Sequence, residues 1–277
     1  MAALAVIAAA AVGAVWVVRA QSRAAGSRVV RRVCRTLAAV LIVNLIFEQC
    51  YMAGTGWWSL AESLPLHLCD LSVFAAIAAL MLATRASVLA HATQSGGVPL
   101  AARLPVPTTH PANTGGQAAG GTPATRARVL AHATQSSGFL VFDLVYYWGL
   151  AGATQALLTP SVAQGFPGPL FFTYFTAHGG IIVAVLVLMF GLQLRPRRGS
   201  AVRVWLLTNV VAVPVLACDW LVEANYMYLR GPAEAPSVLD YLGAWPWPFL
   251  LSLNLLVAVC IALCAAPWWW VDRRRRT

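Results

Sequence analysis

The sequence predicts an all-α integral membrane protein, built as a bundle of about seven transmembrane helices. The composition is 60% hydrophobic and only 10% charged, whereas a soluble domain is roughly one-quarter charged. Several apolar runs have the length of roughly 20 residues that a helix needs to cross the hydrocarbon. The distribution of arginine among the loops between these runs predicts how the helices alternate across the membrane.

Seven apolar runs predict the helices. They cover about 2–18, 36–53, 64–83, 138–158, 170–192, 203–222 and 247–266. The first run has no basic residue before it and a cluster of arginines after it, which is the reverse of a cleavable signal peptide. We therefore expect a retained first helix.

Arginine marks alternate loops. The chain has no lysine, and eighteen of its nineteen arginines lie in 19–35, 84–137, 193–203 and the tail, leaving only Arg230 elsewhere. By the positive-inside rule, this pattern predicts a multipass plasma membrane protein with its N-terminus outside and its C-terminus in the cytoplasm. The net charge of +10 is then a topology signal that favours anionic lipid headgroups as partners and gives no support for nucleic-acid binding.

A near-repeat separates the third and fourth helices. ATRASVLAHATQSGG at 83–97 returns 41 residues later as ATRARVLAHATQSSG, and a stretch rich in Pro, Gly, Thr and Ala lies between the copies. This composition is typical of a flexible linker. We predict a disordered, duplicated cytoplasmic insertion at about 84–137 within a six-helix membrane domain at 36–266. The first helix with its basic loop (1–35) precedes this domain, and a basic tail (267–277) follows it.

Cysteine and histidine do not indicate a metal or cofactor. The six cysteines have no CxxC spacing, and most lie inside predicted helices, so a zinc site or disulfide framework is not favoured. Three further histidines, His91, His110 and His132, lie in the insertion without carboxylate or cysteine neighbours. We expect them to be solvated.

Ionisable side chains inside the apolar runs indicate where function lies, because each costs about 2.5–3.5 kcal/mol at the centre of a helix. Glu48, His67, His178 and Asp219 fall in the outer halves of four predicted helices, at about 1.5 Å per residue. Their shared depth predicts one site facing the outer leaflet, whereas Asp143 lies near an inner end. The alternative is that these groups only join helices by hydrogen bonds.

The spacing of His67 and Asp70 adds a local expectation. Residues three apart share a face of a helix, so these two side chains are predicted to lie together. Cys69 is expected on nearly the opposite face.

Seven motifs resemble the YwaF-like integral membrane family of bacteria. They are LPLHLCDLS (64–72), YYWGLAGATQALLTP (146–160), GFP (165–167), HGG (178–180), RPR (195–197), NYMYL (225–229) and PSVLDYLGAWPWP (236–248). Their order and spacing agree from about 36 to 265, and the long insertion is the departure. The bacterial family is distantly similar to a eukaryotic multipass acyltransferase family that remodels ether phospholipids, and beyond that to membrane hydrolases of fatty-acid esters.

The resemblance implies a lipid acyltransferase or hydrolase in which His67 and His178 act as acid and base. The candidate nucleophile of the eukaryotic group is a cysteine directly before the first of these histidines, where this chain has Leu66. Without that thiol, an acyl-enzyme requires another nucleophile, or the acceptor attacks directly with histidine as base. The other candidate nucleophiles are Cys69, Thr173 and Ser72.

The remaining predicted roles follow from this chemistry. Asp70 or Asp219 is predicted to orient an imidazole, and Asn225 or Gln155 to donate a hydrogen bond to an oxyanion. Glu48 and Tyr226 complete the predicted substrate-binding set. The alternatives are an ion- or solute-coupled transporter, which would carry polar residues through the full depth of the bilayer, and a membrane protein without enzymatic activity.

Overall fold

A computed structural model describes residues 2–22, 28–95, 140–232 and 237–274. Most of the predicted insertion lies outside the described residues. Every regular element in the described ranges is a helix, so the predicted all-α class is confirmed.

Seven long helices make up the described part of the chain. They are α1 (Ala2–Ser22), α2 (Arg28–Thr55), α3 (Leu68–Ser95), α4 (140–158), α5 (Pro169–Leu186), α6 (Ser200–Val222) and α7 (Trp247–Arg274). A π-helical turn, Gly149–Ala153, interrupts α4, and a second, Val187–Gly191, extends α5. Two short 3₁₀ helices, Tyr226–Tyr228 and Val238–Tyr241, lie between α6 and α7.

The helices have the character of membrane spans. Four helical segments are long and apolar enough to cross a bilayer, namely Ala3–Ala20, Pro169–Gly191, Ser200–Val222 and Trp247–Arg274. A shorter apolar segment, Leu68–Thr84, forms most of α3. The chain is therefore an integral membrane protein with several apolar helices, and the crossing of the bilayer by all seven stays a prediction.

Three helices extend past their predicted bounds. The second helix begins at Arg28 instead of about 36, α3 continues to Ser95, and α7 continues through Pro267 to Arg274. Parts of the predicted basic loop, insertion and tail are consequently helical. Apolarity marks only the stretch that fits the hydrocarbon, whereas alanine and arginine are good helix formers and carry a helix beyond it.

Consecutive helices alternate in direction. The connections 56–67, 159–168 and 223–246 lie at one end of the bundle, which we call the site end. At this end, the Asn44 amide of α2 donates to the Thr173 carbonyl of α5 at 3.2 Å. At the opposite end, the arginine end, Arg197 just before α6 contacts Asp143 of α4. The alternation agrees with the arginine pattern, while the membrane side that each end faces stays a prediction.

Glycines of the HGG motif allow close packing around α5. A Cβ atom on Gly179 would lie 2.7 Å from Ile7 of α1, and one on Gly180 would lie 2.6 Å from Leu41 of α2. A side chain at either position would force these neighbours to shift, so glycine suits the close approach of the helices. The two glycines therefore have a packing role beside His178.

We expect Gly180→Val to lower the free energy of unfolding by about 1–3 kcal/mol, because an overpacked core must shift its neighbours. Leu41 is buried and cannot move into open space. Thermal unfolding in detergent measures the change. Gly13→Val is the matched control, since no atom lies within 4 Å of its Cβ position, and equal losses in the two variants would contradict the packing role.

Candidate active site

His67 directly precedes α3. The Asp70 carboxylate accepts a hydrogen bond from the backbone N–H of His67 at 3.1 Å, which is the N-terminal capping arrangement of a helix. Asp70 thus fixes the backbone of His67, while the expectation that both side chains share a helix face stays a prediction. Pro65 restricts Leu64 to non-helical conformations, and α3 begins only at Leu68.

The connection between α6 and α7 holds the His67 ring. The backbone N–H of Met227 donates to His67 Nδ1 at 3.3 Å. The imidazole also packs against Tyr226 and Tyr228, with ring centroids 5.1 and 5.7 Å away. Because Nδ1 accepts a hydrogen bond, the proton of the neutral ring lies on Nε2.

This connection contains strained backbone. Glu223, Met227 and Tyr228 have φ values of 56°, 55° and 58°, in the left-handed region that non-glycine residues rarely adopt. Such residues cost about 1–3 kcal/mol each and cluster at functional sites, where the surrounding structure fixes them. We call residues 223–232 the strap, because it covers His67.

Tyr226 joins the strap to the connection before α3. Its side chain is fully buried, its hydroxyl donates to the Leu60 carbonyl, and it accepts from the Leu64 N–H, both at 2.8 Å. Burial raises the pKa of the phenol, so Tyr226 stays neutral and keeps both bonds. The hydroxyl predicted to bind substrate is therefore occupied within the fold.

We expect Tyr226→Phe to lower the free energy of unfolding by about 1–3 kcal/mol, because it leaves the Leu60 carbonyl and the Leu64 N–H without their partner. Urea or thermal unfolding in detergent measures this loss. Tyr241→Phe is the control, since Tyr241 is 87% exposed. If both variants unfold alike, the hydroxyl does not tie the two segments together.

Asp219 and Asn225 also support the strap. The Asp219 Oδ1 atom accepts from the Tyr226 N–H at 2.9 Å, while its buried Oδ2 atom has no hydrogen-bond partner among the described residues. The Asn225 amide donates to the Gly231 carbonyl, and its oxygen accepts from the Arg230 N–H. These contacts hold backbone, whereas Asp219 was predicted to orient an imidazole and Asn225 to stabilise an oxyanion.

His178 lies on α5 and is 6% exposed. Its Nδ1 atom is 2.8 Å from the Tyr174 carbonyl oxygen, which only accepts, so Nδ1 must carry the proton and Nε2 has a lone pair. The ring stacks on Tyr174 at a centroid distance of 4.2 Å. The Tyr174 hydroxyl in turn donates to the Ala156 carbonyl of α4.

The two histidines lie at the same end of the bundle without touching. Among the described residues, no hydrogen bond or ring contact joins them directly. Tyr174 packs against the His178 ring, and Tyr228 packs against the His67 ring, so each imidazole has a tyrosine beside it. A shared pocket for both imidazoles stays a prediction.

Two further predicted residues differ in their placement. Glu48 is half-buried on α2, and its place in a shared site with His67 stays a prediction. Gln155 is exposed and donates to Thr159 within α4. The structure does not bring Gln155 to the other predicted residues.

The candidate nucleophiles of the chain are bonded elsewhere. Ser72 and Thr173 donate their hydroxyls to carbonyls of their own helices, at 2.6 and 3.1 Å. The Cys69 thiol points to the Asp70 carboxylate at 3.9 Å. In the described part of the chain, none of the three is bonded to a histidine that would activate it.

Tyr174 and Tyr228 are site residues absent from the sequence-based set. Tyr174 lies four residues before His178, and this spacing places both on one face of a helix. The sequence therefore indicated that Tyr174 could contact His178. Tyr228 lies in the irregular strap, where no periodicity indicates which way a side chain points.

Apolar helices long enough to cross a bilayer, together with buried polar contacts at both ends of the bundle, define a multipass membrane protein. The model of the TMEM164 family matches residues 1–265, and the chain belongs to this family. The match is consistent with the predicted similarity to a eukaryotic multipass family but does not confirm the YwaF-like family. Comparisons with curated proteins and with solved structures give no significant match.

Proposed function

We propose that the protein is a lipid acyltransferase or hydrolase that acts at the outer leaflet of the plasma membrane. The observation that supports this proposal is that backbone contacts hold the two histidines in opposite tautomers. His67 accepts at Nδ1 from Met227, whereas His178 donates from Nδ1 to Tyr174. One ring therefore offers an N–H at Nε2, and the other offers a lone pair.

The tautomers assign a role to each histidine. His178 Nε2 removes the proton from the hydroxyl of an acceptor lipid or of water, and the resulting oxygen attacks the carbonyl carbon of a fatty-acid ester. The Nε2–H of His67 stabilises the oxyanion. When the intermediate collapses, the ester C–O bond breaks, and the leaving oxygen takes the proton from the His178 imidazolium.

Direct attack by the acceptor agrees with the state of the other side chains. Ser72, Thr173 and Cys69 are engaged with carbonyls or a carboxylate, so in the described part of the chain none of these three candidates is activated by a histidine. Leu66 at the position of the expected cysteine supports the same route. The reaction therefore needs no covalent acyl-enzyme.

Polar groups away from the site argue against the transporter alternative. Within the described ranges, the Trp148 indole donates to Thr208 at 2.8 Å, and the Asn254 amide donates to Asn209. Paired groups of this kind act as interhelical hydrogen bonds. A transport path would require polar groups that remain available to a solute through the depth of the bilayer.

Transfer of a labelled acyl chain tests the proposed activity. Purified protein in liposomes is supplied with a phospholipid carrying one deuterated acyl chain and with an unlabelled lysophospholipid. Mass spectrometry should then find deuterium in the acylated acceptor for a transferase, or in free fatty acid for a hydrolase. Folded protein that moves no label to either product, and whose gene deletion leaves the cellular lipid profile unchanged, would refute the proposal.

A further inference from the structure

We infer that Arg230 binds the phosphate group of the lipid at the site end, an inference that rests on the proposed function and deepens it. Eighteen of the nineteen arginines lie in 19–35, 84–137, 193–203 or the tail, and Arg230 is the exception. It lies on the strap, three residues after Met227, which contacts His67. Among the described residues, Arg230 is thus the one arginine at the site end, and it lies on the segment that contacts the candidate catalytic histidine.

The Arg230 guanidinium is held in place but not saturated. Its Nη1 atom donates to the Asp219 and Ala224 carbonyls at 3.1 and 3.2 Å. Its Cζ atom lies 4.8 Å from the centre of the Trp220 ring. Among the described residues, its Nε and Nη2 atoms have no hydrogen-bond partner, and the side chain is only half-buried. The guanidinium is therefore fixed in position, and its Nε and Nη2 atoms can still donate hydrogen bonds to a ligand.

Phosphate matches these spare donors. A planar guanidinium presents parallel N–H groups that bind two oxygens of a phosphate at once. The carboxyl groups Glu48, Asp70 and Asp219 do not attract an anion. Trp220 is 57% exposed and lies beside Trp245, with ring centroids 6.1 Å apart, as expected at headgroup depth, where lipid phosphates lie.

The alternative to phosphate binding is a purely structural role for Arg230. Arg230 caps carbonyls at the end of α6, where a cation also interacts favourably with the helix dipole, and its charge acts on the buried Asp219 carboxylate. Such a role affects the folding of the strap and therefore all ligands alike. A phosphate-binding role affects only lipids that carry phosphate, and this difference is measurable.

Binding of two ether lipids distinguishes the roles. The probes are a dioctyl-ether glycerophosphocholine and dioctyl-ether glycerol, which contain no ester to be cleaved, and native mass spectrometry of the detergent-solubilised protein measures their affinities. We expect Arg230→Gln to weaken binding of the phospholipid about ten- to a hundred-fold and to leave the neutral lipid unchanged. Arg230→Lys, which keeps the charge but not the planar fork, should be intermediate.

A control variant and a competitor complete the test. Glu62→Gln, which removes an exposed charge from the connection before α3, should leave both affinities unchanged, and a loss like that of Arg230→Gln would overturn the inference. Displacement of the phospholipid by inorganic phosphate would assign recognition to the phosphate group alone, whereas resistance to displacement would assign it to the whole headgroup.

Equal weakening of both lipids, or of neither, would overturn the inference. Because both probes bind without turnover, this result is independent of the acyl-transfer assay. Active protein with unchanged binding in Arg230→Gln would refute only the phosphate site. Inactive protein with selective loss of the phospholipid would refute only the enzymatic function.

Discussion

Replacing His178 with alanine lowers the rate of acyl transfer about 100- to 10,000-fold, which is the usual contribution of a general base. Its Nε2 lone pair is the proton acceptor, because Nδ1–H is committed to the Tyr174 carbonyl. His67→Ala removes the proposed oxyanion donor and should cost about 100- to 1,000-fold. The deuterated-lipid assay measures both rates.

Measuring protein abundance together with the rate of acyl transfer distinguishes a catalytic role of His178 from a packing role. If His178 only joins helices, alanine lowers stability by roughly 0.6 kcal/mol, the average for membrane hydrogen bonds, and spares the rate. His110→Ala, a change in the insertion, is the control and should change neither protein abundance nor the rate of acyl transfer. A normal rate in His178→Ala would remove the proposed base.

Replacing Arg197 with alanine lowers the free energy of unfolding by about 3 kcal/mol, at the lower end of the range for a broken buried ion pair. Asp143 is fully buried, Arg197 is one-third exposed, and their charged atoms are 3.4 Å apart. The variant leaves the carboxylate without its cation in a low-dielectric interior. Chemical denaturation in detergent measures the loss.

Two variants sharpen this prediction. Asp143→Ala combined with Arg197→Ala removes both charges and should lose less stability than Arg197→Ala alone, because no unpaired charge remains buried. Arg198→Ala breaks the more exposed pair with Asp272 and should cost less than about 1 kcal/mol. If the single and double variants lose the same stability, the unpaired Asp143 charge is not the cause.

The fold was predictable because a bilayer imposes strong rules on sequence. Apolar length located the helices, and the arginine distribution gave their alternation. The ends of α2, α3 and α7 were not predictable in this way, since helices continue into the interface on residues that hydropathy treats as loops. The sequence contains the RPR motif of the resembled family, whereas the contact of Arg197 in this motif with Asp143 is visible only in the structure.

For the candidate site, the sequence indicates residues but not their contacts. The cost of polar groups in lipid makes His67, His178 and Asp219 candidates. His67 and Asp219 contact the strap, where Met227 and Tyr228 adopt left-handed conformations that no local pattern of non-glycine residues indicates. The tautomers of both histidines are fixed by main-chain atoms, which every residue type possesses.

The insertion joins the bundle at the end remote from His67. Its flanking helices, α3 and α4, meet it at Ser95 and at residue 140, and α3 has 28 residues, which corresponds to a length of about 40 Å. The two points at which the insertion is attached therefore lie far from the strap. A fluorescent reporter or affinity tag placed at either attachment point would label the arginine end of the bundle and leave both termini unmodified.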